Sequence, residues 1–258
     1  MEANDIRSLE PKALWSYFYS LTQVPRPSGK IEPVGSFIAD FGKSLGLETL
    51  RDASGNVLIR KPATPGMENR KSVVLQAHMD MVPQKNSHIN HNFETDPIQA
   101  YIDGEWVTAR DTTLGADNGI GIAAAMAVLA SKDLAHPALE MFITVDEETG
   151  MHGAFGLQPG FLKGDILINM DSEDEGELYV GCAGGLDANI SFGYREVEVP
   201  EGDIAVKISL TGLKGGHSGV DIHLQRANAN KLMFRFLKTA VAEYEARLAS
   251  IDGGSLRN

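Results

Sequence analysis

Positive charge is scarce in this 258-residue sequence: 23 Lys and Arg stand against 35 Asp and Glu, a formal net charge of -12. Phosphate backbones are held by clustered Lys and Arg, so a nucleic-acid partner is excluded. Cysteine is almost absent. Cys182 alone permits no internal disulfide and fits a reducing, cytoplasmic setting. Beside Gly181 and Gly184 it reads as a small buried packing residue rather than a nucleophile. Long apolar runs are missing too. The longest, 120–130 with Gly121 inside it, falls far short of the roughly 20 residues that span a bilayer. Met1 to Ile6 has neither the basic start nor the apolar core of a secretory signal. No internal repeat or low-complexity linker is visible. What remains, 43% hydrophobic and 22% charged residues, is the composition of a globular protein with room for one large domain or two smaller ones.

Leu14, Trp15, Phe18 and Leu21 recur at helical spacing after Pro11, which suits a first-turn position. A second amphipathic helix presents Val34, Phe37, Ile38, Phe41 and Leu45 on one face, with Gly46 as its stop. Asp52 to Asn56 form a turn into a short strand over 57–60. The segment 72–77 is apolar on both faces at its centre, as in a strand buried within a sheet. Further buried strands are expected at 139–145 and 166–170, with an Ala-rich helix over 119–130 before them. This alternation predicts an α/β domain with a parallel-rich mixed sheet flanked by helices. Residues 98–102 and 106–109, joined through Asp103-Gly104, read as an inserted hairpin. Near residue 186 the pattern changes. Ala188, Ile190 and Phe192 alternate, then Ile204, Val206, Ile208 and Leu210, as half-buried antiparallel strands do. A helix from about 228 to 247 offers Leu232, Phe236, Leu237 and Val241 to a sheet face. The expected organisation is one domain over 1–185 and a second over 186–258, too thin to stand alone.

Each strand of the first domain runs into metal-ligand chemistry. His78-Met79-Asp80 follows the first buried strand, Asp117 precedes the Ala-rich helix, Asp146-Glu147-Glu148 follows the second strand, and Asp171 opens the acidic run after the third. In open α/β sheets ligands bind at the carboxyl ends of strands, so these loops can meet in one crevice. His78 and Asp80, two apart in extended chain, point to the same face, and a carboxylate beside a metal-bound imidazole fixes its tautomer. Glu147 and Glu148 diverge, so one can bind metal while the other faces water. Singly, each has an ordinary explanation; Asp117, for instance, suits a helix N-cap. Together, Asp80, Asp117, Glu147, Glu148 and Asp171 would repel one another and raise their own pKa values unless a divalent cation offset the charge. Imidazole and carboxylate without thiolate suit zinc in a hydrolytic site, with manganese or cobalt as alternatives.

Several stretches closely resemble the aminoacyl-histidine (Xaa-His, or cytosol non-specific) dipeptidases, a branch of the co-catalytic zinc peptidases. They are Val24 to Gly29, Val74 to Lys85, Thr112 to Gly121, Thr144 to Met151, Asn169 to Gly176, Gly181 to Gly185 and Gly215-Gly216-His217-Ser218-Gly219. The resemblance implies two divalent ions: His78 and Asp171 each bind one metal, Glu148 the other, and Asp117 bridges both before a cis peptide to Asn118. It implies that Glu147 is the general base that activates water and later protonates the leaving amine, and that Asp80 orients His78. It also implies that His217, in a lid domain, stabilises the oxyanion across a homodimer. The first domain would then be catalytic and 186–258 the beginning of an α+β lid. The substrate implied is a small peptide, with dipeptides ending in His among those cleaved by a cytoplasmic enzyme without membrane attachment.

Members of that family are roughly twice this size, and their chain returns from the lid to supply a last His ligand. His88, His91, His136, His152 and His223 sit in no motif that matches it. The sequence is therefore expected to be a fragment of a longer protein. Two alternatives remain open at this level: an amidohydrolase of the same architecture acting on N-acyl amino acids, and a metal-binding fragment without activity.

Overall fold

The apolar runs of the first half become one sheet with helices packed against it. The computed structural model describes residues 4–86, 88–182, 184, 186, 188–216 and 221–253. The chain divides into two units between Gly181 and Cys182.

In the first unit a 3-10 turn, Ile6–Ser8, leads to helices α1 (Lys12–Thr22) and α2 (Glu32–Ser44), then strands β1 (Glu48–Arg51), β2 (Val57–Lys61) and β3 (Val73–His78). The hairpin β4 (Ala100–Asp103) and β5 (Trp106–Ala109) follows as expected. Helix α3 (Ala116–Ala130), strand β6 (Leu139–Thr144), the short helix α4 (His152–Gly156) and strand β7 (Ile166–Asn169) complete it. The sheet order is β1-β2-β6-β3-β7. Strands β6, β3 and β7 run parallel, while β2 is antiparallel to both β6 and β1. The expected parallel-rich mixed sheet is present, and the carboxyl ends of its three parallel strands share one edge.

Strand β6 lies between β2 and β3 with all six residues buried, which accounts for its nearly continuous apolar run. Its one charge, Glu140, is matched there. Arg60 Nε donates to it at 2.7 Å, and the N–H groups of Lys163 and Gly164 donate at 2.8 and 3.0 Å. The core gathers Phe18 and Leu21 of α1, Ile38 of α2, Ile122 and Met126 of α3, and Met141 and Ile143 of β6. Each such side chain contributes about 1.5–3 kcal/mol on full burial. Truncating Met141 to alanine at the sheet centre is expected to cost about 2–5 kcal/mol.

Several expectations shift. Pro11 is the N-cap of α1 rather than a residue of its first turn. Gly46, at φ +69°, ends α2 as read. Strand β1 escaped the sequence reading because Glu48–Arg51 is short and its two end residues are exposed at the sheet edge. Strand β7 is exposed rather than buried, and among the described residues it ends the sheet beside β3.

In the second unit the described residues form helix α5 (Ala229–Tyr244) and a 3-10 turn at Ile222–Leu224. Asn228 caps α5 by accepting the N–H of Lys231 at 3.0 Å. The strands expected at 188–192 and 204–210 do not form among the described residues. Alternating apolar residues become a strand only where a neighbour accepts the ladder and apolar surface covers one face. Among the described residues neither is found, and Phe192 and Val206 are 84% and 69% exposed. Leu232, Phe236 and Val241 of α5 are likewise not buried. Cys182, expected in a packed setting, is exposed for the same reason.

Candidate metal centre

The parallel strands deliver their chemistry to one edge of the sheet. His78 is the last residue of β3 and is 1% exposed. Its ring is held from both sides. Nδ1 lies 3.1 Å from the Asp80 carbonyl oxygen and 3.3 Å from Asp80 Oδ1, while Nε2 lies 2.8 Å from Asp117 Oδ1 and 3.5 Å from Asp171 Oδ1. Asp80, fully buried, also reaches the loop after β6. Its Oδ1 accepts the N–H of Glu147 at 3.0 Å, and its Oδ2 accepts that of Glu148 at 3.3 Å and the Ser28 hydroxyl at 2.8 Å. One carboxylate therefore fixes the imidazole and the paired glutamates together.

Asp117 is not the N-cap of α3. Gly115, at φ +72°, takes that position, and Asp117 sits within the first turn at non-helical φ -81° and ψ 111°. The Asp117–Asn118 peptide is cis. Asn118, 2% exposed, donates its side-chain N–H to Asp171 Oδ1 at 2.6 Å, which holds that carboxylate beside His78.

Charge sets the protonation of the cluster. Burial raises the Glu148 carboxyl to about 7, Asp117 adding to the rise and His78 opposing it. Burial also raises Glu147, with His78 again opposing and the charges of Asp171, Asp117 and Asp80 assisting. For His78 burial acts downward, yet its bonds to Asp117, Asp171 and Asp80 overcome it and lift the imidazole to about 12. Burial would raise Asp80, but its bonds to His78 and Ser28 hold it below the usual range. Carboxylates, of which only Asp80 is fully buried, thus surround a buried imidazole that keeps its proton, a setting in which a divalent cation can take that proton's place.

The donor set fits such an ion. His78, Asp117 and Glu148 offer one nitrogen and two carboxylate oxygens within 4.8 Å of one another. No thiolate joins them, which is the chemistry of zinc, manganese or cobalt rather than of a soft metal. Asp80, Asp171 and Glu147 complete the surroundings as described above. His217, with Ser218 and Gly219 of its stretch and Ala183 and Gly185 of the earlier glycine-rich one, lies outside the described residues.

Three residues at the site were covered by the sequence reading without the role the structure gives them. Asn118 orients Asp171, whereas the sequence reading gave it only as the residue after the implied cis peptide. Asp146, at φ +49°, accepts the N–H of Gly29 at 2.7 Å and pins the loop after α1 to the loop after β6. Arg26, 2% exposed, bonds backbone carbonyls on both sides of the centre.

Residues 74–252 match peptidase family M20/M25/M40. The chain is similar to the cytosol non-specific dipeptidase of Escherichia coli (strain K12), with 54% identity over 255 residues, covering 99% of this chain and 53% of that protein. It is also similar to the crystal structure of aminoacylhistidine dipeptidase from Vibrio alginolyticus, at 50% identity and a TM-score of 0.70, over 99% of this chain and 52% of that one. The aminopeptidase PepT from Bacillus cereus is 25% identical with a TM-score of 0.54, over 63% of this chain and 44% of that one. The chain spans about half the length of the dipeptidases it matches.

Proposed function

The chain belongs to peptidase family M20/M25/M40, and from that premise we propose that it carries the metal centre of a dipeptidase. The observation that supports this most is the convergence of His78, Asp117 and Glu148 at the carboxyl edge of a parallel sheet. The ions would be two, zinc by preference, held by His78, Asp117, Glu148 and Asp171 with Asp117 shared between them. Bound there, divalent metal acidifies water and polarises a scissile carbonyl.

The protein's own groups perform the remaining work. Glu147, raised by burial, is suited to accept a proton from the attacking water and to return it to the leaving amine. Asp80 keeps His78 in one tautomer and holds the backbone of Glu147, so base and ligand keep their spacing. Asn118 holds Asp171. His217 is proposed to stabilise the oxyanion from a lid domain begun by 186–258, the unit before it being catalytic, in a homodimer of the whole protein.

The proposed substrates are short peptides, including dipeptides with C-terminal His, in keeping with the names of the two similar dipeptidases. A cytosolic location is proposed from the name of one of them. Among the described residues no helix is long and apolar enough to cross a membrane. Metal content measured together with hydrolysis of Gly-His tests the reading. Bound zinc with turnover supports it, whereas a folded chain that takes up no divalent metal rejects it.

A further inference from the structure

The segment Val24 to Gly29 contributes no donor to the metal set, yet it is wound tightly into the centre. Pro27 pairs with Met81, the Met81 N–H donates to the Arg26 carbonyl at 3.1 Å, and Ser28 donates to Asp80 at 2.8 Å. Arg26 itself turns inward. Its Nη1 donates to the carbonyls of Met79 and Asp80, both at 3.2 Å, and its Nη2 donates to that of Gly115. The first two carbonyls belong to the chain that leaves β3 just after His78. The third belongs to the turn that places Asp117. One guanidinium therefore ties together the two loops whose side chains meet at His78 Nε2 and Asp117 Oδ1, 2.8 Å apart.

Space for it is built in from the other side. A Cβ on Gly115 would lie 2.5 Å from Arg26 Nη2 and 2.7 Å from Met81 Sδ, and one on Gly119 would lie 2.6 Å from the same Nη2 and 2.9 Å from Phe18 Cε2. Two glycines four residues apart thus leave room that the guanidinium fills together with Met81 and Phe18. Its charge is the second observation. Burial draws the group down to about 10 while Asp80, Asp117 and Glu148 act upward, so it remains a cation at neutral pH. Its hydrogen bonds here run to neutral carbonyls, and its field falls on the carboxylates of the centre. A buried charge is costly unless hydrogen-bonded, and a planar fork spans two loops where an ammonium, a single point, does not.

We infer that Arg26 is a positioning residue for the metal centre: its guanidinium sets the distance between His78 and Asp117 and offsets part of the negative charge around them. The inference rests on the metal reading above. It is tested on the 258-residue chain by chelator competition with zinc and by the absorption spectrum of the cobalt-loaded protein, comparing the wild type with Arg26→Lys. The wild type is expected to bind zinc. Arg26→Lys is expected to unfold cooperatively, to bind zinc about 10–100-fold more weakly, and to shift the cobalt bands because the ligand geometry has relaxed. A folded Arg26→Lys with wild-type affinity and an unchanged cobalt spectrum overturns the inference and leaves the metal reading intact. A wild type that binds no zinc removes the metal reading and this inference with it. Should Arg26→Lys fail to fold, Gly119→Ala decides the question. It keeps the arginine but crowds its guanidinium, and also the ring of Phe18, so it is compared with the double variant Gly119→Ala/Phe18→Leu, in which the ring is gone. Folded protein with zinc binding weakened in both supports the inference, whereas wild-type binding in either overturns it. If neither variant folds, Arg26 belongs to the fold alone and the inference is wrong.

Discussion

Asp80 and Glu147 stand 67 residues apart in the chain, yet the Asp80 carboxylate accepts the Glu147 backbone N–H at 3.0 Å. The end of one parallel strand is thereby fastened to the loop that leaves its neighbour, and the fastening group is the one that also faces His78 Nδ1. Removing that carboxylate has two consequences. Asp80→Ala is expected to lower zinc affinity about 10–100-fold and to destabilise the chain by about 1–3 kcal/mol through the unpaired N–H groups. Chelator competition and urea unfolding measure the two effects. Unchanged zinc affinity in the folded variant would contradict the role given to Asp80.

The adjacent glutamates are predicted to separate by phenotype. Glu147→Gln is expected to keep its metal and lose activity of the whole enzyme on the order of 10²–10⁴-fold, the scale of a general base. Glu148→Ala is expected to lose metal first and activity as a consequence. Metal analysis beside kinetics on Gly-His distinguishes them. Equal metal loss in both variants would leave no support for dividing their roles.

Protons and metal are predicted to compete. In the metal-free chain Glu148 is raised to about 7 and His78 to about 12. Below about pH 7 both groups hold protons, so metal uptake should release about two; above it, His78 alone supplies about one. Apparent zinc affinity therefore falls as pH falls through about 7. The same upward shifts act on stability in the opposite direction. For Glu148 that stability is fully present below about pH 4.5 and is lost as pH rises through about 7; for His78 it is fully present below about 6.5 and is lost only as pH rises through about 12, and bound metal offsets both losses. Calorimetry in buffers of different ionisation enthalpy counts the protons. A heat that does not depend on the buffer would rule the competition out.

A structural prediction concerns Asn56, which is fully buried. Its Oδ1 accepts the Val145 N–H at 3.0 Å, and its Nδ2 donates to the Gly153 carbonyl at 2.9 Å and to Asp52 at 2.6 Å. It ties the turn before β2 to the end of β6, just ahead of Glu147. Asn56→Ala leaves a buried donor and a buried acceptor without partners, and is expected to cost about 1–3 kcal/mol for each. Denaturant unfolding reads this directly, and a loss below about 1 kcal/mol in total would show that the turn does not depend on it.

The first unit was legible wherever one rule acted alone. Strands β3 and β6 announced themselves because burial on both faces leaves a continuous apolar run, and Gly46 marked the end of α2 because only a left-handed residue closes it. The ligands were legible because carboxylates at successive strand ends are hard to explain without a cation. Asp117 carried two signals at once: an Asp before a helix also suits an N-cap, but Gly115 takes that position and the carboxylate faces His78, as expected of a ligand. The roles of Arg26 and Asn118 were out of reach. Each acts on a residue brought near it only by the fold, and no local spacing records that. The alternation at 188–192 and 204–210 misled because period-2 patterning states which face would be buried, not whether anything is there to bury it.

Anomalous scattering at the zinc edge, from crystals of the chain grown with zinc, tests the central claim most directly. The account predicts an anomalous peak about 2.0–2.2 Å from His78 Nε2 and from a carboxylate oxygen of Asp117, with Glu148 or Asp171 completing the ligands. Zinc bound only elsewhere on the acidic surface, with His78 still paired to Asp117 as in the metal-free chain, would contradict it.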